Sequence, residues 1–129
     1  MSSSLPELIL LFAGAGFVGF GVAYLIRPDR MAALTDLSLP SATARADFLA
    51  TYGGFQIGFG LFLLACAGDP QWVRPGLWAT VAALGGFATV RTSTALCYGA
   101  RVRRTIWLGL ALEVLGVALG LWGLVLERA

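Results

Sequence analysis

Two ionisable residues of this chain sit inside long apolar runs, Arg91 and Glu113. A charge at mid-depth of a bilayer helix costs about 2.5–3.5 kcal/mol on the insertion scale, so such residues usually pair or line a functional cavity. Arg91 stands seven residues before Tyr98 and Glu113 eight after Thr105, toward the same end of two successive runs. At 1.5 Å per residue both lie roughly 10–12 Å deep, where an ion pair between hairpin neighbours is natural. Gln56 falls at nearly the same depth in the preceding run, and Tyr52 lies one helical turn closer to the end on the same face. Four polar side chains from three helices are therefore predicted to converge on one level. Asp47, beside Arg45 at the mouth of that run, reads as a helix-terminal anion or as half of a surface pair.

The chemistry open to this set is narrow. The chain has no His and no Lys, so all nine of its cations are Arg. That removes imidazole bases, His metal ligands, Schiff-base lysines and P-loop lysines. Ser93 and Thr94 lie near Arg91, but acyl transfer there would need Glu113 as its base, and no enzymatic activity is expected. Cys66 and Cys97 sit at opposite ends of their runs, separated by about 30 Å of hydrocarbon, whereas a disulfide needs Cα atoms within about 7 Å. No C-x-x-C or zinc spacing occurs, so neither metal nor cofactor is expected.

The elements that must position these residues follow from composition. Of 129 residues, 58% are hydrophobic and 12% charged, with a mean hydropathy of +0.82. Ordinary soluble domains hold roughly 45–50% and about 25%, so this chain has too little polar surface for a water-soluble globule. A net charge of +2 leaves no electrostatic footprint for nucleic acid. Four apolar stretches reach the roughly 20 residues that cross a bilayer: about Leu5–Ile26, Phe48–Ala67, Leu77–Tyr98 and Thr105–Leu126. Their boundaries are Arg27-Pro28-Asp29-Arg30, Gly68-Asp69-Pro70, Arg74-Pro75-Gly76 and Arg101-Val102-Arg103-Arg104. Backbone groups in lipid must be satisfied within the span, so each is helical. The expectation is a single all-α domain, a polytopic antiparallel bundle of four transmembrane helices over residues 1–129. Ala13-Gly14-Ala15 resembles a signal cleavage site, but the apolar run continues past it without a basic leader, so a retained helix is expected.

Orientation follows from the arginines. The first and third loops carry Arg27, Arg30, Arg45, Arg101, Arg103 and Arg104, against Arg74 and Arg128 on the other side. Six against two puts those loops in the cytoplasm and both termini outside. Trp72, Trp78 and Trp122 would mark the outer interface, and Tyr24, Tyr98 and Trp107 the inner one. In the first loop Met31, Leu34 and Leu37 recur every third residue, which suits a short interfacial helix. Pro40-Ser41 then offers a stop and an N-cap, so the second helix should begin near Ala42.

Small residues accompany the polar ones. Gly109, Gly116, Gly120 and Gly123 share the face of Glu113, Gly14, Gly16, Gly19 and Gly21 stud the first helix, and Gly54-x-x-x-Gly58 marks the second. Such residues let helices approach closely in lipid; Gly54 and Gly58 are expected to pack within the bundle.

The stretch Ala46-Asp47-Phe48-Leu49-Ala50-Thr51-Tyr52-Gly53-Gly54-Phe55-Gln56-Ile57-Gly58-Phe59-Gly60-Leu61-Phe62 resembles the second-helix signature of a bacterial membrane family catalogued as domain of unknown function 4345. Arg91 and Glu113 match an arginine late in that family's third helix and a glutamate early in its fourth. Leu49 stands where many relatives carry Arg. The resemblance implies a compact four-helix protein of the bacterial inner membrane and groups Asp47, Tyr52, Gln56, Arg91 and Glu113 as one set; it brings no activity.

Two functional expectations stand together. In the first, the polar layer binds a small or lipid-like ligand, Arg91 holding an anionic or carbonyl group with Tyr52 and Gln56 as hydrogen-bond partners and Glu113 orienting Arg91. In the second, the layer is a self-satisfied structural network of an accessory or assembly subunit. Such a subunit would act through its lipid-facing surfaces, in a homo-oligomer or larger membrane complex.

Overall fold

The computed structural model describes residues 4–101 and 103–127; Arg128 and the amino terminus, which entered the orientation count, lie outside the described residues. Helix α1 (Leu5–Ile26) starts at a capping box, the Ser4 hydroxyl accepting from the Glu7 N–H while the Glu7 carboxylate accepts from Ser4 N at 2.9 Å. A short helix α2 (Pro28–Ala33) follows in the first loop. Helix α3 (Ala42–Ala67) opens where the Pro40-Ser41 reading puts it, with Ser41 accepting from Ala44 N at 3.1 Å. Helix α4 (Pro70–Tyr98) and helix α5 (Arg104–Leu126) complete the chain, joined by a 3₁₀ turn at Gly99–Arg101. Gly99 has φ of 58°, a left-handed conformation that glycine adopts without steric cost and that stops α4.

Helices α1, α3 and α5 are each long and apolar enough to cross a membrane. Helix α4 is the longest, at 29 residues, and is not among them. Arg91, the run Thr92-Ser93-Thr94, Thr80 and Thr89 lower its apolar content. Four of these hydroxyls are nonetheless satisfied within the helix: Thr80 donates to Gly76 O at 2.9 Å, Thr89 to Gly85 O at 2.7 Å, Ser93 to Thr89 O at 2.9 Å and Thr94 to Val90 O at 2.9 Å.

Helix α4 also begins earlier than the apolar run suggests. Asp69 caps it by accepting from Gln71 N at 3.0 Å, and Pro70 occupies the first turn, where its missing N–H costs nothing. Pro75 removes one further backbone bond but does not end the helix, because Val73, Gly76 and Leu77 around it are buried. A Cβ at Gly76 would lie 2.7 Å from the Cβ of Cys66. Arg74-Pro75-Gly76 is therefore an interior turn of α4 pressed onto the end of α3.

Close backbone contact holds the helices in pairs. Along α1 and α3, a Cβ on Gly14 would come 2.8 Å from Gly60 O, and one on Gly21 would come 2.8 Å from Gly53 O. Along α4 and α5, Gly116 seats Leu84, Gly120 seats Val81 and Gly123 seats Leu77. The main core lies around the α3–α4 turn, where Leu10, Leu63, Cys66, Val73, Leu77 and Leu124 are buried. Gly54 and Gly58 do not join the α1 seam: both are exposed, and a Cβ on Gly58 would meet nothing within 4 Å. The seven-residue steps 14–21 and 53–60 carry the seam instead, since a residue seven along returns to nearly the same helix face.

The first and third loops meet at one end. Arg103 donates to Ala33 O at 2.8 Å and to Asp36 at 2.6 Å, and Thr105 donates to Leu34 O at 2.7 Å. Arg45 pairs with Asp29 at 2.7 Å rather than with Asp47.

Candidate functional site

Arg91 of α4 and Glu113 of α5 form a side-on ion pair. Arg91 Nε lies 3.0 Å from each Glu113 carboxylate oxygen, and Nη2 lies 2.8 Å from Oε1. Glu113 is buried and Arg91 half-buried. The guanidinium packs beside Gly109, one turn before Glu113: a Cβ there would sit in ordinary contact, 3.6 Å from both Cζ and Nη1 of Arg91. The guanidinium thus lies along the bare backbone of α5. Among the described residues Arg91 Nη1 makes no hydrogen bond to a protein acceptor.

The ion pair borders a cavity of about 320 Å³ between α1, α4 and α5, with Gln56 of α3 and Tyr24 of α1 also on its wall. From Arg91 the cavity reaches Thr80, 11 residues along α4, which is roughly 16 Å at 1.5 Å per residue. Its body is apolar, built by Ile9, Phe17, Phe20, Leu84, Leu112 and Leu119 among others. One polar end and a long greasy body make an amphipathic cavity, near the lower bound of the roughly 300–1,000 Å³ typical of small-molecule sites. Its flank between α1 and α5 is open: Phe12, Phe20, Leu112 and Leu115 line it and are all exposed, Phe12 by 79%.

Tyr52 and Asp47 stand apart from this cavity. They line a second hollow of about 280 Å³ with Leu37, Ser38, Leu39, Ala44 and Phe48, against the first loop. Tyr52 lies one turn nearer the first loop than Gln56, within a π-helical stretch, Leu49–Gly54, in which Phe55 N–H reaches back to Ala50 O. The stretch also presents Gly53 to α1, seating Leu25. Tyr24 bridges the two hollows: its ring centroid is 5.4 Å from that of Tyr52 and 5.6 Å from that of Phe48.

Of the five sequence candidates, the structure brings Arg91, Glu113 and Gln56 to one cavity and Tyr52 and Asp47 to another. Tyr24, which its position near a helix end marks as an interfacial anchor, instead lines the cavity. The signal was present in α1: Ile9, Ala13, Phe17, Phe20 and Tyr24 recur at spacings of three and four, one continuous face that ends on the tyrosine. Ser93 and Thr94 spend their hydroxyls on their own helix. Cys66 is buried, Cys97 is exposed, and neither is bonded to another cysteine. Among the described residues no three His, Cys, Asp or Glu side chains gather where they could hold a metal.

No curated protein and no solved structure matches the chain. The sequence model of the family described as Domain of unknown function (DUF4345) does match, over residues 6–124, and the chain belongs to that family.

Proposed function

We propose that the chain is a four-span antiparallel bundle of the bacterial inner membrane, non-enzymatic, whose intramembrane cavity binds a small lipophilic ligand. Support for counting α4 as a span comes from the hydroxyls of Thr80, Thr89, Ser93 and Thr94, returned to their own helix backbone, and from the pairing of Arg91 with Glu113. Both reduce the cost of polar groups in lipid. The antiparallel order is supported by two series of contacts in which residue numbers rise on one helix as they fall on the other: Gly14 with Gly60 and Gly21 with Gly53, then Leu77 with Gly123 and Leu84 with Gly116. The arginine bias favours the end bearing the first and third loops as the cytoplasmic one, with both termini outside.

The observation that carries the ligand reading is the ion pair at the head of an apolar cavity open along its flank. A network serving only to dock helices would be expected to pack shut, because interiors leave few voids larger than a water. Arg91 supplies the donor, Glu113 holds it in place, and the apolar walls take the rest of the ligand. Mass spectrometry of small molecules retained after gentle purification tests this. A lipophile should accompany the wild type and be lost from Arg91→Leu protein that still folds; equal retention by both would refute the reading.

A second reading, an accessory subunit of a membrane complex or homo-oligomer, draws on the α3 face. Gly54 and Gly58 are exposed there beside Phe55, Leu61 and Phe62, a surface on which another helix could approach closely.

A further inference from the structure

The geometry points to a neutral, carbonyl-headed lipophile as the occupant of the α1–α4–α5 cavity, a free molecule that enters sideways from the bilayer. The inference rests on the ligand-binding reading and narrows it to one chemical class. Charge balance decides the head. Both carboxylate oxygens of Glu113 are held by Arg91, through Nε and Nη2. The pair is therefore neutral as a unit, and the nearby carboxylate cancels most of what an incoming anion would gain from the guanidinium. The desolvation of that anion would go largely uncompensated. A cationic head fares worse, since it meets Arg91 while the carboxylate is already engaged.

What remains at the polar end is mostly hydrogen-bond donation. Arg91, Gly109, Gln56 and Tyr24 all line the cavity, and among the described residues Arg91 Nη1 makes no hydrogen bond to the protein. Among the described residues neither Gln56 nor Tyr24 makes a side-chain hydrogen bond to the protein. A carbonyl oxygen costs little to desolvate and accepts from a charged donor, one of the stronger hydrogen bonds available in a protein.

The body and the entrance agree with that head. The walls running toward Thr80 are almost wholly apolar, which suits an alkyl or isoprenoid tail. At Gly16, which also lines the cavity, a Cβ would meet nothing within 4 Å. Phe12 and Phe20 flank this gap on α1, and Leu112 and Leu115 face outward on α5. A molecule dissolved in the hydrocarbon can slide in between these helices without crossing the headgroups. The ion pair lies well below the helix ends, whereas the ester groups of a phospholipid lie near the headgroups, which favours a free lipophile.

The test uses the full chain in nanodiscs of ether-linked phosphatidylcholine, whose linkages carry no carbonyl. Tritiated 2-tridecanone, tridecane and tridecanoate are compared at pH 8, each corrected for empty nanodiscs. The ketone should bind about 10-fold or more tightly than either of the others, as one hydrogen bond to a charged donor allows. Gly16→Phe fills the cavity from an uncrowded position and should abolish ketone binding while leaving the unfolding midpoint within a few degrees of wild type. Arg91→Leu should bring the ketone down to the alkane. Tighter binding of tridecanoate would overturn the neutral-head inference and leave the ligand-binding reading intact. Saturable binding of none of the three would overturn both. Loss of ketone binding in ester-linked phosphatidylcholine would identify the phospholipid as the source of the carbonyl and overturn the free-lipophile claim.

Discussion

Gly58 and Gly60 lie two residues apart on α3, and alanine at each should change stability in opposite directions. At Gly60 the new Cβ would lie 2.7 Å from Gly14 O and 2.8 Å from both Val18 N and Val18 Cγ2. Two of those three atoms are backbone, so the relief must come from moving α1 away from α3, which also disturbs the partner contact at Gly14. Overpacking of this kind costs about 1–3 kcal/mol, against about 0.5–1 kcal/mol returned by replacing a helical glycine. The net is a loss of roughly 1–2 kcal/mol. At Gly58 the Cβ meets nothing within 4 Å, so only the helix gain of about 0.5–1 kcal/mol remains. The helix gain is common to both, so the two variants should differ by the overpacking cost, about 1–3 kcal/mol, in equilibrium unfolding from mixed micelles, with wild type between them. Equal destabilisation by both would refute the assignment of the seam, and a loss confined to Gly58→Ala would show that the Gly54–Gly58 face is covered in the folded protein.

Further outcomes follow from the same geometry. Arg91→Leu or Glu113→Leu alone leaves an unpaired charge in the bundle and should cost about 3–5 kcal/mol, whereas the double replacement should recover most of that loss; a double variant as unstable as the worse single one would contradict pairwise compensation. In intact vesicles, Cys97, exposed near the Gly99 end of α4, should react with a small maleimide, while Cys66, packed against Gly76, should react only after unfolding; prompt labelling of Cys66 would show that the α3–α4 end is open. Arg103→Ala removes donors to Ala33 O and Asp36 and should loosen the first loop, seen as faster amide exchange over α2, but cost only about 0–1 kcal/mol because the pair is exposed; unchanged exchange there would mean that Thr105 alone holds the loop.

The apolar runs of α1 and α5 were readable nearly to the residue, since lipid-facing helices are apolar all round and Ser4 is a strong cap before the first of them. The Ser41 cap gave the start of α3 for the same kind of local reason. Pro75 misled because proline marks a boundary only on average; here Asp69 and Pro70 start the helix and buried packing carries it past the second proline. Arg91 and Glu113 could be paired from depth alone, because two opposite charges at one level of adjacent hairpin helices have few other partners. The division of Gln56 from Tyr52 was not legible. Tyr52 and Gln56 share a face on a helical wheel, and what separates their hollows is the first loop, Leu37 to Leu39, folded against Asp47 and Tyr52. The cavity role of Tyr24 is masked in the sequence, because a tyrosine near a helix end is also what an interfacial anchor looks like. Only the packing of α1 against α4 and α5 separates the two.

The central claim, a lipophile held between α1 and α5 with its head at Arg91, is tested most directly by photolabelling. A 2-tridecanone bearing a diazirine near its tail end, irradiated with the protein in nanodiscs and mapped by peptide mass spectrometry, should mark Phe12, Phe17, Leu115 and Leu119, and Gly16→Phe should remove those marks. Labels spread equally over the outward residues Leu61 and Phe62 of α3, and unchanged by that substitution, would mean that the probe samples the lipid-facing surface and that the cavity holds no ligand.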